Sequence, residues 1–179
     1  MTLVAVVGPS GAGKDAVIDG ARRHFAADPR VIFPQRVITR PAGPGEEHRP
    51  ATEDEFAARE RAGGFAVHWD AHGLRYGIPA AVAGAVREGA VAVVNVSRGV
   101  IAALPEVFGD VRVVRISVPE DVRRSRILAR GREGTADARA RLERPDPAPE
   151  AGVDLEIVND GPLPDAVASL VRFLEGIGR

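Results

Sequence analysis

A glycine-rich segment between a short apolar run and a helix-forming run constrains the fold of this chain more than any other feature. The segment consists of Gly8, Pro9, Ser10, Gly11, Ala12, Gly13, Lys14 and Asp15. It follows the apolar run Leu3–Val7 and precedes the helix-forming run Ala16–Ala27. A buried strand, a glycine loop with a lysine and a helix start are together typical of a phosphate-binding loop, whose backbone N–H groups and helix N-terminus attract anions. The segment therefore predicts a nucleotide site.

We expect different roles for the last two residues of this loop, Lys14 and Asp15. Lys14 is the only lysine among 24 Lys and Arg residues, and a compact ammonium suits the β- and γ-phosphates of a nucleotide. Asp15 stands where such loops normally carry a Ser or Thr that binds Mg²⁺. We expect the Asp15 carboxylate to hold Mg²⁺, directly or through water. The alternative is an acidic residue in the first helical turn, where the helix dipole favours an anion.

Composition predicts a single domain without disulfides or membrane segments. A chain of 179 residues can form one domain with a substantial core, so we expect residues 1–179 to form one domain. The formal net charge of −1 predicts no strong attraction to nucleic acid or to an anionic membrane. The absence of cysteine excludes disulfides and a cysteine nucleophile. No apolar run approaches the roughly 20 residues that cross a bilayer, and no basic leader precedes the first strand, so a cytoplasmic protein is expected.

Apolar β-branched runs alternate with helix-forming runs along the rest of the chain. Further strands are predicted at Val31–Phe33, Val91–Val94, Val111–Val118 and Leu155–Val158. Further helices are predicted at Glu53–Ala62, Pro79–Glu88, Pro119–Ala129 and Leu163–Gly176. This alternation predicts an α/β fold with a parallel central sheet covered by helices on both faces. Such sheets bind ligands at the carboxyl ends of their strands.

Several short motifs occur in the order seen in guanylate kinases. They are the phosphate loop, Thr39–Pro41 followed by Gly45 and Glu46, Trp69 followed by Gly73–Gly77, the arginine-rich Arg130–Glu133, and Val158–Asp160. Over nearly its whole length the chain resembles the guanylate-kinase-like P-loop kinases. The resemblance implies a three-layer α/β/α domain with a small acceptor-binding insertion at about residues 36–78 and an arginine-rich lid at about residues 130–145.

The resemblance also implies roles for individual residues. The phosphate loop binds ATP, with Asn159 near the adenine, and Arg40 and Tyr76 hold the acceptor phosphate. The implied catalytic residues, which neutralise charge on the transferring phosphoryl group, are Lys14, Arg130, Arg132 and Arg141. In a chain this rich in arginine, a cluster of arginines can also be a solvated surface, and this alternative applies above all to Arg123, Arg124 and Arg126.

The chain departs from guanylate kinases where that family reads the base. His68 replaces a glutamate that binds the guanine edge, and Ile78 replaces a small hydroxyl residue. Asn95 and Ser97 replace an Asp-x-Asp pair, and Arg98 follows them. Hydrogen-bond acceptors for guanine have thus become neutral or cationic groups, which favours a second anion over a base.

These departures are similar to one branch of the family, the ribose 1,5-bisphosphate phosphokinases of phosphonate breakdown. The similar features are the Lys-Asp end of the loop, Asn95–Arg98 and the histidine before Trp69. The implied reaction transfers the γ-phosphoryl group of ATP to the 1-phosphate of ribose 1,5-bisphosphate. The products are 5-phosphoribosyl 1-diphosphate and ADP. Because the attacking phosphate is largely dianionic at neutral pH, no general base is required.

The acceptor site is expected to include positions that match the guanylate kinase pattern and positions that depart from it. They are Arg40, His48, His68, Arg75, Tyr76, Asn95, Ser97 and Arg98. Arg98, His68 and Arg75 are candidates for the 5-phosphate and the ribose, whereas His48 takes the place of a missing tyrosine. For His68 the alternative is a half-buried, hydrogen-bonded residue without a substrate role. His68 and His72 lack a third ligand in reach, so we do not expect them to bind a metal.

Two other functions remain open at this stage. The chain could be a guanylate or other nucleoside monophosphate kinase if the departures are tolerated. It could also be a non-catalytic guanylate-kinase-like module that holds phosphopeptides, but such a module needs neither a complete phosphate loop nor lid arginines. We expect ATP and Mg²⁺ as cofactors, small molecules as the only partners apart from a second copy of the chain, and a monomer or a homodimer.

Overall fold

The computed structural model of this protein describes residues 1–41, 47–129 and 152–177. The predicted lid, at about residues 130–145, falls outside these ranges. Arg130, Arg132 and Arg141 therefore lie outside the described residues. Within the described ranges, no helix has the length and apolar character needed to cross a membrane.

Nine strands and six α-helices are present in the described part of the chain. The strands are β1 (Thr2–Val7), β2 (Val31–Ile32), β3 (Arg36–Ile38), β4 (His48–Pro50), β5 (Phe65–Ala71), β6 (Leu74–Pro79), β7 (Val91–Asn95), β8 (Asp110–Ser117) and β9 (Leu155–Val158). The helices are α1 (Lys14–His24), α2 (Glu53–Arg61), α3 (Ala80–Arg87), α4 (Leu104–Phe108), α5 (Glu120–Ala129) and α6 (Leu163–Ile177), with a 3₁₀ helix at Arg98–Ala103.

The main sheet has five parallel strands in the order β2-β7-β1-β8-β9. β1 lies at its centre and is buried along its whole length, which explains why this strand is a continuous apolar run. Its side chains alternate between two core clusters, so that Leu3 and Ala5 pack on one face and Val4 and Val6 on the other.

Helices cover both faces of this sheet. On one face, α1 contributes Val17 and α6 contributes Leu170 to the core. On the other face, α3, the 3₁₀ helix and α4 contribute apolar residues such as Val86, Ile101 and Leu104. The predicted three-layer α/β fold is therefore confirmed, and the observed ends of the predicted helices lie within a few residues of the expected ones.

A second sheet has four strands in the order β4-β3-β6-β5 and occupies much of the predicted acceptor-binding insertion. β3 and β4 run parallel, whereas β5 and β6 form an antiparallel hairpin. The hairpin turns at His72 and Gly73, whose φ angles of 55° and 73° are those of a tight two-residue turn. The sequence motifs predicted this region without predicting its strands. β3 and β4 are only three residues long and carry polar residues, so they give little periodic signal.

α1 and α6 pack closely because a glycine lies at their contact. A Cβ atom on Gly20 would lie 2.4 Å from Cγ2 and 2.9 Å from Cγ1 of Val167. Both valine methyl groups lie in the way, so rotation of that side chain cannot relieve the clash. Gly84 in α3, by contrast, has no atom within 4 Å of the corresponding position.

Gly20 and Gly84 should respond to alanine with opposite signs. Gly84→Ala should raise the free energy of unfolding by about 0.5–1 kcal/mol, because alanine is the better helix former. Gly20→Ala should lower it by roughly 1–3 kcal/mol, because the added methyl overpacks the contact between α1 and α6. Urea denaturation of both variants measures the difference. Equal stabilisation by the two substitutions would contradict the close approach of the two helices.

Candidate active site

The predicted phosphate loop connects β1 to α1 at the carboxyl edge of the main sheet. Gly8, Gly11 and Gly13 have φ angles of 143°, 88° and 86°, which side-chain-bearing residues rarely adopt. A Cβ atom on Gly8 would lie only 2.0 Å from the carbonyl oxygen of Ile116 in β8. Glycine is therefore required at the point where the loop leaves the sheet.

Lys14 is the first residue of α1, and its side chain folds back over the loop. Its Nζ atom donates hydrogen bonds to the carbonyl oxygens of Gly8, at 2.8 Å, and Pro9, at 3.0 Å. The N-cap residue, Gly13, offers no side chain to cap the first helical turn. An ammonium group beside a helix N-terminus of this kind can bind the phosphates of a nucleotide.

Asn159 packs against the inner side of the loop. Its side chain is 4 % exposed, and its Nδ2 atom donates to the carbonyl oxygen of Ala12 at 2.8 Å. A Cβ atom on Gly13 would lie 2.6 Å from the same Nδ2 atom. The structure thus shows Asn159 in contact with the loop backbone, and its expected place near adenine stays a prediction.

Two arginines of α5 also hold the loop region. Arg123 is 8 % exposed, and its Nε atom donates to the carbonyl oxygen of Ser10 at 3.1 Å. Arg126 donates from Nη1 to the carbonyl oxygen of Asn159 at 2.8 Å. The interpretation of Arg123 as part of a solvated surface is therefore wrong. Its burial could not be read from the sequence, because the arginines around it look alike.

Asp15 contacts the end of the neighbouring strand β7. Nδ2 of Asn95 donates to Oδ1 of Asp15 at 2.8 Å, and Asn95 pairs with Val6 of β1 in the sheet. The Asp15 carboxylate is exposed at the carboxyl edge of the sheet. Mg²⁺ in phosphoryl-transfer sites binds one or two carboxylates, substrate phosphates and water, so a carboxylate at this position fits that metal. Among the described residues, no group of three or more His, Cys, Asp and Glu could hold a metal by itself.

A stacked cluster, formed by Ser97, Trp69, Tyr76 and Arg36, connects the two sheets. Nε1 of Trp69 donates to Oγ of Ser97 at 2.8 Å, two residues beyond the end of β7. The rings of Trp69 and Tyr76 stack with centroids 5.5 Å apart and planes 7° apart. Cζ of Arg36 lies over the Tyr76 ring, 5.8 Å from its centroid. Contacts therefore run from the phosphate loop through β7 to Tyr76, a predicted acceptor ligand.

His68 and Arg75 belong to a different cluster. Nη2 of Arg75 donates to Oε2 of Glu60 at 2.7 Å, and Nε2 of His68 lies 3.4 Å from Oε1 of the same carboxylate. The register pairs Trp69 with Tyr76, and successive side chains of a strand alternate between its faces. The structure therefore does not bring His68 and Arg75 to the face that carries Tyr76.

The remaining predicted acceptor residues lie around this second sheet. Arg40 follows β3 and is half-buried, and its carbonyl oxygen lies 3.3 Å from Nε2 of His48. His48 is 6 % exposed and begins β4. Arg98 follows Ser97 directly and begins the 3₁₀ helix, where it is half-buried. His68 and His72, which are not expected to bind a metal, lie in a strand and in a hairpin turn.

Solved structures share this architecture. Guanylate kinase from Anaplasma phagocytophilum matches with a TM-score of 0.67, covering 99 % of this chain and 86 % of that chain at 18 % sequence identity. At that identity the likeness concerns the fold alone. No family model matches the chain. The fold is therefore that of the guanylate kinases, with the glycine-rich loop between β1 and α1.

Curated relatives narrow this class to one family. The chain is 50 % identical to the ribose 1,5-bisphosphate phosphokinase PhnN of Pseudofrankia inefficax, over 96 % of this chain and 89 % of that protein. It is 47 % identical to the protein of the same name from Methylobacterium radiotolerans, over 96 % of each. The chain belongs to the ribose 1,5-bisphosphate phosphokinase family. The resemblance carried by the short motifs is thereby confirmed.

The contacts of Glu60 predict a pH-dependent contribution to stability. The hydrogen bond from Arg75 lowers the pKa of the Glu60 carboxyl below its ordinary value of 4.5. An acid with a lowered pKa stabilises the native state above its unfolded pKa, and this contribution is lost as pH falls through the lowered value. Glu60→Gln should therefore melt at a lower temperature than the native protein at pH 7, and the difference should shrink below about pH 4.5.

Glu106→Gln, which removes an exposed carboxylate from α4, is the matched control. A difference between Glu60→Gln and the native protein that is the same at every pH would contradict the ion-pair explanation. It would indicate a packing role for Glu60 instead.

Proposed function

We propose that this chain transfers the γ-phosphoryl group of ATP to the 1-phosphate of ribose 1,5-bisphosphate, producing 5-phosphoribosyl 1-diphosphate and ADP. The observation that carries the proposal is 50 % identity, over nearly the full length of both chains, to a ribose 1,5-bisphosphate phosphokinase. The geometry of the phosphate loop supports it, because Lys14 and the start of α1 form a site suited to a nucleoside triphosphate.

The reaction requires positioning and charge stabilisation more than acid–base chemistry. An oxygen of the 1-phosphate attacks the γ-phosphorus, a new P–O bond forms, and the bond from the γ-phosphorus to the bridging oxygen of ADP breaks. A phosphate monoester has a second pKa of about 6, so the attacking group carries no proton that a base must remove at neutral pH. The electron pair of the broken bond leaves with ADP.

Within this scheme, Lys14 moves from the loop carbonyls to the β- and γ-phosphates when the nucleotide binds. The loop residues Gly8–Gly13, apart from Pro9, which has no N–H, supply backbone N–H groups to the phosphates, and Asn159 keeps the loop in place. The lid arginines Arg130, Arg132 and Arg141 neutralise charge on the transferring group, in the manner of arginine fingers.

For the acceptor, we propose that Arg40 and Tyr76 hold the 1-phosphate and that Arg98 lies close to the sugar. Tyr76 supports this assignment because the stacked cluster connects it, through Ser97 and β7, to the loop that binds the donor. His68 and Arg75 act differently in this proposal. They stabilise the hairpin of β5 and β6 through Glu60 and do not contact the substrate.

Acceptor specificity is the direct test of the proposed function. The purified chain should consume ATP in the presence of Mg²⁺ with ribose 1,5-bisphosphate, and much more slowly with ribose 5-phosphate, GMP or AMP. The reason is that no base-reading carboxylate remains at His68 or Asn95. Coupled detection of ADP, with identification of the product by ³¹P NMR, measures the outcome.

Efficient turnover of GMP would contradict the proposal and would identify the chain as a nucleoside monophosphate kinase. ATP binding without turnover of any acceptor would contradict it in favour of a binding module. A Lys14→Met variant serves as the background control, because it removes the charge that the loop places on the phosphates.

We further propose that Asp15 holds the Mg²⁺ that accompanies ATP. When bound, Mg²⁺ neutralises charge on the β- and γ-phosphates. Asn95 orients the Asp15 carboxylate through its hydrogen bond to Oδ1. The exposed position of Asp15 at the start of α1 supports this role, because the loop presents the phosphates at the same edge of the sheet.

Substitution of Asp15 should change the metal requirement. Asp15→Ala should raise the Mg²⁺ concentration for half-maximal rate by roughly 10- to 100-fold, the usual loss when a metal site loses a supporting group. Asp15→Ser should recover part of the loss, because it restores the hydroxyl that such loops normally carry. Asp19→Ala, one turn further along α1, is the matched control. An unchanged Mg²⁺ dependence in Asp15→Ala would refute the metal role.

The proposal includes a cytoplasmic location, small-molecule substrates and no nucleic-acid partner. The near-neutral net charge and the absence of cysteine support these assignments. Either a monomer or a homodimer is compatible with a site built within one chain.

A further inference from the structure

We propose that Arg123 is a positioning residue for the phosphoryl donor. It fixes the peptide group between Ser10 and Gly11 in the orientation that turns the Gly11 N–H toward the nucleotide phosphates. The inference rests on the proposed function only in taking ATP as the donor. Of the arginines that the structure describes, Arg123 alone is buried, and the reaction scheme above gives it no part.

α5 lies directly against the phosphate loop. Nε of Arg123 donates to the carbonyl oxygen of Ser10 at 3.1 Å. A Cβ atom on Gly11 would lie 2.9 Å from Cγ1 of Ile127 and 3.5 Å from Cγ of Arg123. The loop and the helix are therefore in close contact, and Arg123 reaches the loop from the buried side.

The part of the loop that Arg123 contacts is a β-turn from Pro9 to Ala12. The N–H of Ala12 donates to the carbonyl oxygen of Pro9 at 3.2 Å. Gly11, at the third position, has a φ of 88°, whereas Ser10, at the second position, has a negative φ. This combination is that of a type II turn. A type I turn differs from it mainly in the orientation of the central peptide group, which here joins Ser10 to Gly11.

The hydrogen bond from Arg123 selects one of these two orientations. In a trans peptide such as this one, the C=O and N–H groups point in opposite directions. Because the Ser10 carbonyl is held toward α5, the Gly11 N–H points away from α5. Backbone N–H groups held in this way are the donors that phosphate loops offer to anions. Without the bond, rotation of the central peptide would turn this donor away.

This bond is independent of Lys14, which changes partners in the proposed reaction. Lys14 donates to the carbonyl oxygens of Gly8 and Pro9 and leaves them when the nucleotide binds. Arg123 holds a different carbonyl group, so its contact can persist in the nucleotide complex. A loop that is ordered before the ligand arrives loses less entropy on binding, so the effect of Arg123 should be visible in donor affinity.

Packing alone does not account for an arginine at this place. Taking a guanidinium group out of water costs free energy, and well-packed apolar side chains often stabilise a protein equally well. Ile127, one turn further along α5, packs against the same loop with an apolar side chain. The feature that Arg123 adds is a donor for the Ser10 carbonyl.

Donor binding in the absence of an acceptor tests the assignment. ATP with Mg²⁺ and inorganic tripolyphosphate are titrated separately by isothermal titration calorimetry. Arg123→Met should weaken both by roughly 10-fold, as expected for loss of a charge-assisted hydrogen bond. The losses should be equal, because the proposed effect acts on the phosphates and not on the base. Arg124→Met is the matched control, because Arg124 is the next residue of α5 and is exposed.

Two further measurements separate positioning from a general loss of stability. Hydrogen–deuterium exchange of the nucleotide-free Arg123→Met protein should be faster in residues 8–15 and unchanged in β7. KM for ATP should rise by about the same factor as the dissociation constant, while KM for ribose 1,5-bisphosphate stays the same. Arg123→Lys, which keeps the charge and can donate to one carbonyl, should recover part of the ATP affinity. It also serves as the test variant if Arg123→Met does not fold.

Three outcomes would overturn the assignment. They are unchanged binding of ATP and tripolyphosphate in the Arg123 variants, a loss for ATP without a loss for tripolyphosphate, and an equal loss in Arg124→Met. Failure of the proposed function gives a different result. In that case the native protein would not turn over ribose 1,5-bisphosphate, even if ATP binding still depended on Arg123.

Discussion

The backbone of the phosphate loop passes so close to β8 that only glycine can occupy position 8. This contact, 2.0 Å from a hypothetical Cβ atom to the carbonyl oxygen of Ile116, determines where the loop leaves the sheet. It thereby determines where α1 begins and where Lys14 and Asp15 lie. The buried strand β1 holds the loop from the other side, because its side chains are fixed in the cores on both faces of the sheet.

Side chains of this protein donate hydrogen bonds to the carbonyl oxygens of the loop. Arg123 donates to Ser10, Asn159 donates to Ala12, and Lys14 donates to Gly8 and Pro9. The bonds to Ser10 and Ala12 do not involve Lys14, so these two carbonyl groups can stay paired while the loop presents N–H groups to an anion. Basic residues therefore have two roles here. Arg123 stabilises the loop from a buried position, and Lys14 is the residue proposed to place a charge on the nucleotide phosphates.

The sequence predicted the main sheet well and the second sheet poorly, for physical reasons. Strands such as β1 and β7 are buried on both faces, and continuous apolar runs identify them. β3 and β4 have only three residues each, and their partners are distant in the chain. The expectation that both His68 and Tyr76 line the acceptor overlooked strand alternation. His68 precedes Trp69, and Trp69 pairs with Tyr76, so His68 belongs to the opposite face.

Two departures from the guanylate kinase pattern are explained by one contact. Asp15 carries a carboxylate where the loop normally has a hydroxyl, and Asn95 carries an amide where the strand normally ends in aspartate. The two side chains lie 2.8 Å apart. Two carboxylates at that distance would repel each other, whereas an amide donates a hydrogen bond to the carboxylate. In this chain the carboxylate therefore lies on the loop, at Asp15, and not at the end of β7. The amide of Asn95 stabilises that carboxylate by donating a hydrogen bond to it.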